Sequence, residues 1–349
     1  MLPTEPPAMV PGTIDTTATR QHDKAIARHT VRRVWGEPVA LISALIVLII
    51  IFTILNPRFA TLVNLQNILD QAALPLIIGV GATLVILLGS IDLSVEGVIG
   101  ASGMAFILLS ANSRGGPDLG IWAFAVAIAI GMALGLVSGT IYTKVRVPSF
   151  IVTLGMWFVG LGIATIMFGT ETIPSLTNDE LSTWSSQLTF GLPNAFLLAA
   201  VVVIGGALLL RFTKLGRVIL SIGNNELIAR GNGVAVDRYK IYVFMIAGAL
   251  SGLAGIIASI QLGSGSATVG VGLLFITIPA VVIGGTSLGG GKGGVLRTAL
   301  GVILLTVLNN GLILAGVSPN YQSAVSGAIL VAAIVVAAWS QRDRLRIAK

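Results

Sequence analysis

The chain has 349 residues, of which 55% are hydrophobic and only 10% are charged, and it contains no cysteine. A soluble domain carries about a quarter charged residues, so this chain has too few charges to cover the surface of a water-soluble globule. The mean hydropathy of +0.96 indicates apolar segments long enough to cross a bilayer. The lack of cysteine excludes disulfides, thiolate metal sites and a cysteine nucleophile.

Both histidines, His22 and His29, lie in the polar N-terminal tail. This position excludes a histidine-dependent site within the membrane, and with it serine–histidine proteolysis and most zinc chemistry. We therefore expect no catalytic residue and no metal site. The net charge of +7 comes from basic residues scattered through short connections, which is typical of the positive-inside bias of membrane proteins rather than of nucleic-acid binding.

Apolar windows of about 17–25 residues predict an all-α integral membrane protein with about ten transmembrane helices. Glycine or proline interrupts the third and eighth, so segments 94–110 and 264–286 leave two alternatives, a full span and a broken or re-entrant helix. The predicted spans are Pro38–Leu55, Ile68–Ser90, Ser94–Ser110, Ile121–Thr143, Pro148–Gly169, Asn194–Leu210, Ile241–Leu262, Val269–Ile283, Val295–Ala315 and Tyr321–Trp339.

Ten spans place both termini on one side of the membrane. If that side is the cytoplasm of a bacterial cell, nearly all Lys and Arg residues fall in cytoplasmic connections, with only Arg58 and Arg114 outside, as the positive-inside rule requires. The predicted organisation is a polar N-terminal tail over 1–36, a transmembrane domain over 37–340 with a cytoplasmic loop over 211–240, and a basic tail over 341–349. The N-terminal tail is too long and too polar for the n-region of a cleaved signal peptide.

Glycines recur at helical spacing inside several predicted spans. Small residues at every third or fourth position let helix backbones approach closely in a membrane, so we expect a tightly packed bundle. The repeats are Gly97, Gly100 and Gly103, then Gly131, Gly135 and Gly139, then Gly248 and Gly252.

The segment from Gly89 to Gly97 carries two carboxylates between two apolar stretches. Asp92 or Ser94 suits a helix N-cap, and Glu96 falls in the first turn, where a helix dipole favours an anion. The alternative is a broken helix that opens polar backbone toward a translocation pathway or a partner, because unwound backbone at membrane depth is tolerated only inside protein or along a cavity. The pathway candidates in this segment are Ser90, Asp92 and Ser94.

The glycine-rich turn over 283–294 resembles a phosphate-binding loop but fails its pattern. Thr286 stands where that pattern needs glycine, and Gly293 stands where it needs Ser or Thr after the lysine. We therefore predict a close-packing turn and no ATP binding by this chain.

The connection over 211–240 has a helix-compatible stretch between glycine and asparagine breakers. It is either a solvated basic loop or a lateral helix that docks a cytoplasmic partner. The candidate coupling residues are Gly223, Asn225, Glu226, Ala229, Arg230 and Gly233.

Polar residues inside the spans should face the bundle interior, because buried amides and hydroxyls need partners there. These are Thr83, Thr153, Gln261, Asn309 and Asn310. All of them except Gln261 are candidates for the pathway. We place no Asp, Glu, Lys or Arg in mid-span, which argues against proton or sodium coupling.

Five motifs in order resemble the permease subunits of monosaccharide ABC importers, the ribose, xylose and galactose type. They cover about residues 50–320 and depart from the family pattern at Glu96, where glycine is frequent, and at Leu274, Phe275 and Ile276, where a Glu-Leu-Asp run is common. The matching segments are 89–95, 147–155, the loop residues Gly223, Asn225, Ala229, Arg230 and Gly233, 280–288 and 310–312.

This resemblance implies a permease subunit that pairs with a second copy or a paralogue. It implies a cytoplasmic ATPase subunit that binds the ATP and Mg²⁺, a periplasmic sugar-binding protein, and no cofactor in this chain. The cargo would be a monosaccharide or related polyol, and loop 211–240 would form the coupling surface. The alternative is a secondary transporter or channel that works alone, for which the sequence has neither intramembrane charge nor a selectivity motif.

Overall fold

The computed structural model describes residues 39–318 together with residues 321, 324, 325, 327, 328 and 331. This part of the chain is almost entirely helical. Its apolar helices are α1 Val39–Leu55, α2 Leu62–Leu87, α3 Val95–Leu108, α4 Ile121–Lys144, α5 Ser149–Phe168, α7 Asn194–Phe212, α10 Val236–Leu262, α11 Leu273–Ile283 and α12 Val295–Leu314. The connections contain α6 Asp179–Thr183, α8 Lys214–Asn224, α9 Glu226–Gly231 and a 3-10 turn at Pro57–Ala60.

Six of these helices, α2, α4, α5, α7, α10 and α12, are long and apolar enough to cross a membrane. Three further apolar helices, α1, α3 and α11, are shorter. A spanning helix needs about 20 residues, whereas α3 has 14 and α11 has 11. Helices of this length favour the broken or re-entrant alternative over a full span for segments 94–110 and 264–286.

The centre of the bundle is formed by α10 and α2. Helix α10 packs against α4, α3 and α2, and α2 also packs against α12, α7 and α11. By contrast, α4, α5 and α7 leave large apolar side chains such as Phe158 and Val201 exposed. Side chains of this kind are stable on an outer face when lipid surrounds it.

Close backbone contact between α4 and α10 depends on glycine. A Cβ atom at Gly131 would overlap the carbonyl oxygen of Gly248, and a Cβ atom at Gly248 would overlap that of Gly131. Both positions come from the small-residue repeats, so the sequence predicted this tight packing correctly.

The two ends of the bundle differ. One end, which we call the loop end, carries α8 and α9 together with the last turns of α2 and α4. The other, which we call the hairpin end, carries α6 and the hairpin of β1 Leu188–Thr189 with β2 Leu192–Pro193. Gln66 at the start of α2 donates a hydrogen bond to the carbonyl of Gly191 in this hairpin.

The observed helices agree with nine of the predicted spans in position, with shifted ends. Helix α2 begins at Leu62 rather than Ile68, because Thr61 caps it by accepting a hydrogen bond from the Asn64 amide. Helix α10 begins at Val236 rather than Ile241. Both predicted tails lie outside the described residues. Most of the tenth predicted span, Tyr321–Trp339, lies outside them as well.

Candidate functional site

The break between α2 and α3 covers residues 88–94, and it lies at the loop end. Helix α2 ends at Leu87, and Gly89 follows with a φ of 76°, a conformation that favours glycine. Asp92 accepts hydrogen bonds from the backbone amide of Ser94 (2.9 Å) and from its hydroxyl (2.6 Å). Asp92 therefore fixes Ser94, the residue before α3, but no side chain caps the first turn of α3, so the expected N-cap role of Asp92 or Ser94 is wrong.

Side chains of α4 and α5 hold the break in place. Ser90 donates to the hydroxyl of Tyr142 at 3.0 Å, the amide of Ile91 donates to Ser149 at 3.0 Å, and the amide of Leu93 donates to Thr153 at 2.9 Å. Backbone groups inside a bundle need such partners once they leave a helix. The break is thus a segment with a fixed shape.

Glu96 joins the starts of α3 and α11. It lies in the first turn of α3, it is only 3% exposed, and one carboxylate oxygen accepts hydrogen bonds from the amides of Gly272 (3.0 Å) and Leu274 (3.1 Å). The amino ends of two helices thereby meet at one anion, where both dipoles favour negative charge. This contact fixes α11 against α3.

The loop over 211–240 contains two short helices. Thr213 caps α8 by accepting from the Gly216 amide, and Asn225 caps α9 by accepting from the Ile228 amide. The expected helix-compatible stretch is therefore confirmed, although Arg211 still belongs to α7 and Lys240 already belongs to α10.

Four charged side chains tie α9 to α10. Glu226 accepts hydrogen bonds from Arg230 (2.9 Å) and from Lys240 (2.8 Å), and Arg230 also pairs with Asp237. Partial burial acts to raise the pKa of Glu226, but the hydrogen bonds from Lys240 and Arg230 outweigh it and hold that pKa below its ordinary value. Hydrogen bonds to Asp237 and Glu226 raise the pKa of Arg230, so both groups are charged at neutral pH.

The surface of α9 that faces away from the bundle is apolar. Leu227 is 81% exposed and Ile228 is 62% exposed, whereas Ala229 is buried. The glycine-rich turn lies nearby: the amide of Gly291 donates to the carbonyl of Leu87 at 2.9 Å. A Cβ atom at Gly223 would overlap that carbonyl, so the predicted close-packing role of this turn is confirmed.

The predicted pathway residues fall into three places. Ser90, Asp92, Ser94 and Thr153 come together at the break. Thr83 lies inside α2, where its hydroxyl contacts that of Thr298 on α12 at 2.7 Å.

Asn309 and Asn310 lie on α12, in a third place. Asn310 is buried, and its Oδ1 atom has no hydrogen-bond partner within the described chain, whereas Asn309 is half-buried.

Asp70 is an ionisable residue inside a spanning helix. The predicted span Ile68–Ser90 placed it near the start, but α2 begins at Leu62, so Asp70 lies about two turns into the helix. Its carboxylate accepts a hydrogen bond from Gln261 of α10 at 3.2 Å. Sequence reasoning also missed Tyr142 and Lys240. A tyrosine near a basic helix end and a lysine just before an apolar run both resemble ordinary membrane-boundary residues, so nothing in the sequence distinguishes them.

Within the described chain, no group of three or more His, Asp or Glu residues is arranged to hold a metal ion. The arrangement instead combines six long apolar helices, short apolar helices such as α3 and α11, and a charged loop at one end. This combination defines the class of multi-pass membrane transport proteins.

Comparison with known proteins gives the family. Residues 64–334 match the model for the permease component of branched-chain amino acid transport systems. The chain therefore belongs to this permease family, whose members are membrane subunits and not enzymes, as the sequence predicted. No solved structure matches the chain.

Three curated relatives, all from Escherichia coli strain K12, cover most of the chain. The ribose import permease protein RbsC is 38% identical over 87% of this chain and 94% of its own length. The probable ABC transporter permease protein YphD is 32% identical over 85% and 88%. The D-allose transport system permease protein AlsC is 30% identical over 84% and 89%.

Proposed function

We propose that this chain is the membrane-spanning permease subunit of an ATP-driven importer that carries a monosaccharide or related polyol across the bacterial cytoplasmic membrane. The observation that carries the proposal is the family match over residues 64–334 together with relatives named for ribose and D-allose transport. Its partners would be a second permease copy or a paralogue, a cytoplasmic ATPase subunit that binds ATP and Mg²⁺, and a periplasmic sugar-binding protein.

The loop over 211–240 is the proposed docking surface for the ATPase. Leu227 and Ile228 are exposed on α9, a short helix in the connection between the spanning helices α7 and α10. An exposed apolar pair next to charged residues is typical of a protein interface. The proposed coupling residues are Gly223, Asn225, Glu226, Ala229, Arg230 and Gly233.

The loop end would face the cytoplasm, with both termini on the same side. Lys144, Arg146, Lys214, Arg217 and Lys292 all belong to this end of the bundle. A surplus of basic residues in short connections sets orientation in membrane proteins.

The break over 88–94 is the proposed cytoplasmic part of the translocation pathway. Ser90, Asp92, Ser94 and Thr153 supply hydroxyl and carboxylate groups there, which suit a polyhydroxylated cargo. Thr83, Asn309 and Asn310 remain candidates deeper in the bundle. Asn310 supports this role because its buried oxygen has no hydrogen-bond partner in the described chain.

The test is reconstitution of the chain in lipid vesicles with its cognate ATPase and binding protein. We expect no ATP hydrolysis by the chain alone and stimulated hydrolysis with sugar uptake in the complex. Replacing both Leu227 and Ile228 with Ala should weaken ATPase binding. The matched control is Phe190→Ala at the hairpin end, where the side chain is 95% exposed, and it should leave ATPase binding unchanged.

Two results would refute these proposals separately. Sugar uptake that needs no ATP and follows an ion gradient would favour the stand-alone transporter. Normal ATPase binding by the Leu227→Ala, Ile228→Ala variant would remove the docking surface from α9 while leaving the importer intact.

A further inference from the structure

A chain of polar contacts joins the loop over 211–240 to the break between α2 and α3. It starts at Glu226 on α9, continues through Lys240 on α10 and Tyr142 on α4, and ends at Ser90 in the break. Each neighbouring pair is in direct contact, although the residues belong to four separate segments of the chain.

The first contact is the ion pair between Glu226 and Lys240, at 2.8 Å. The two partners differ in exposure: the Lys240 side chain is 8% exposed and the Glu226 side chain is 37% exposed. A buried ammonium group without its anion is strongly unfavourable. If α9 moves away from α10, Lys240 must therefore move with it or find another partner.

The second contact gives Lys240 such a partner. Its ammonium nitrogen lies 4.7 Å from the centre of the Tyr142 ring, within the range of a cation–π interaction. Tyr142 also packs against Phe244 of α10, with ring centres 5.6 Å apart. The ring therefore cannot follow Lys240 without disturbing the packing between α4 and α10.

The third contact reaches the break. Ser90 is 1% exposed and donates its hydroxyl to Tyr142 at 3.0 Å. A buried hydroxyl that loses its partner carries a desolvation cost, so a shift of the Tyr142 hydroxyl favours a shift of Ser90. Ser149 and Thr153 hold the rest of the break from α5, so α4 and α5 hold its two halves separately.

We propose that Lys240 and Tyr142 are positioning residues that transmit the position of the loop over 211–240 to the break over 88–94. The inference rests on the proposed function for its use in transport, but the physical link itself belongs to this chain alone. A second route exists in the backbone contact of Gly223 with Leu87 and Gly291, so the experiment must change the polar contacts and leave that packing intact.

The first experiment measures hydrogen exchange in the purified chain in lipid nanodiscs. Glu226→Gln and Tyr142→Phe should both raise exchange of the amides of residues 88–94, although the hydrogen bonds of Glu226 within the described residues go to Arg230 and Lys240 and not to that segment. Tyr239→Phe removes a tyrosine hydroxyl from α10 and is the matched control. Unchanged exchange at 88–94 in both variants would overturn the link, whatever the chain transports.

The second experiment measures sugar molecules transported per ATP hydrolysed in the reconstituted complex. Tyr142→Phe and Ser90→Ala should each lower this ratio about fivefold or more, the lower end of typical coupling between sites. The double variant should be no worse than either single variant, because both remove the same contact. Lys240→Met should also lower the ratio, whereas Lys240→Arg, which keeps the positive charge, should keep most of the wild-type ratio.

The control for this experiment is Ser138→Ala on α4. Ser138 is as buried as Ser90, but its hydroxyl donates a hydrogen bond only within its own helix, to the carbonyl of Leu134. A wild-type ratio in Tyr142→Phe, or effects of Tyr142→Phe and Ser90→Ala that add independently, would overturn the proposal. If the wild-type complex does not couple ATP hydrolysis to uptake, the proposed function fails, and the exchange experiment still decides whether the link exists.

Discussion

Replacing Glu96 with Ala tests how α11 is fixed in the bundle. The Glu96 carboxylate is the acceptor for the amides of Gly272 and Leu274, at 3.0 and 3.1 Å. The replacement removes this acceptor at a position where the residue is only 3% exposed. Water therefore has little access to replace it.

The expected loss follows from the two donors. A buried donor that loses its partner costs about 1–3 kcal/mol, so Glu96→Ala should lower the free energy of unfolding by about 4 kcal/mol. Glu96→Gln keeps an acceptor oxygen and loses only the negative charge. A charged acceptor makes each hydrogen bond stronger by about 1 kcal/mol than a neutral one. Glu96→Gln should therefore lower the free energy of unfolding by about 2 kcal/mol.

The assay is denaturant-induced unfolding of the purified chain in mixed micelles, with thermal denaturation as a second measure. Glu180→Ala is the matched control, because Glu180 is exposed on α6, and we expect a change within about 0.5 kcal/mol. Equal losses for Ala and Gln at position 96 would show that charge, and not the acceptor oxygen, holds α11. No loss in either variant would refute the reasoning altogether.

Three further predictions follow from the packing, the bonds between Asp92 and Ser94, and the ion cluster. Asp92→Ala should cost about 2 kcal/mol of stability, about 1 kcal/mol for each of its two hydrogen bonds to Ser94, measured by the same unfolding assay. Gly131→Leu should abolish the yield of folded protein, because a side chain at this position would overlap α10. Gly155→Leu should fold normally, because a Cβ atom at position 155 meets open space. The difference in free energy of unfolding between wild type and Glu226→Gln should have its full value above about pH 4.3 and should vanish in more acidic solution.

The sign of the pH effect comes from the lowered pKa of Glu226. The folded chain holds this carboxyl ionised to lower pH than the unfolded chain does, so its contribution is lost as the pH falls through the folded value. A difference that grew toward acid would contradict the ion pairs. Normal uptake per molecule in Asp92→Ala would support a purely structural role of Asp92 in holding Ser94, and lost uptake in a stably folded Asp92→Ala chain would support the pathway role.

Much of the fold could be predicted from the sequence, because lipid imposes simple rules. Each span must satisfy its backbone internally, so length and hydropathy alone locate the helices. The short segments α3 and α11 were recognised from their glycines and Pro279. The starts of α2 and α10 were placed too far inward, because the Thr61 cap extends α2 and the buried Lys240 lies inside α10 despite its charge.

The candidate site was only partly predictable. Ser90, Asp92 and Ser94 were found because they interrupt an apolar pattern, and Thr153 was found as an in-span hydroxyl. Tyr142 was missed, because its contact with Ser90 joins residues that are far apart in the chain. No local pattern records such a contact.

The sequence by itself determined that the chain is a helical membrane protein with a charged loop at one end, since composition and periodicity decide which segments partition from water into the bilayer. Only the tertiary structure decided which polar groups meet. Glu96 accepts hydrogen bonds from the amides at the start of α11, and Lys240 contacts both Glu226 and Tyr142, because packing brings distant segments of the chain together. Hydrophobic burial follows from each segment separately, whereas the pairing of buried polar groups depends on the positions of all neighbouring helices.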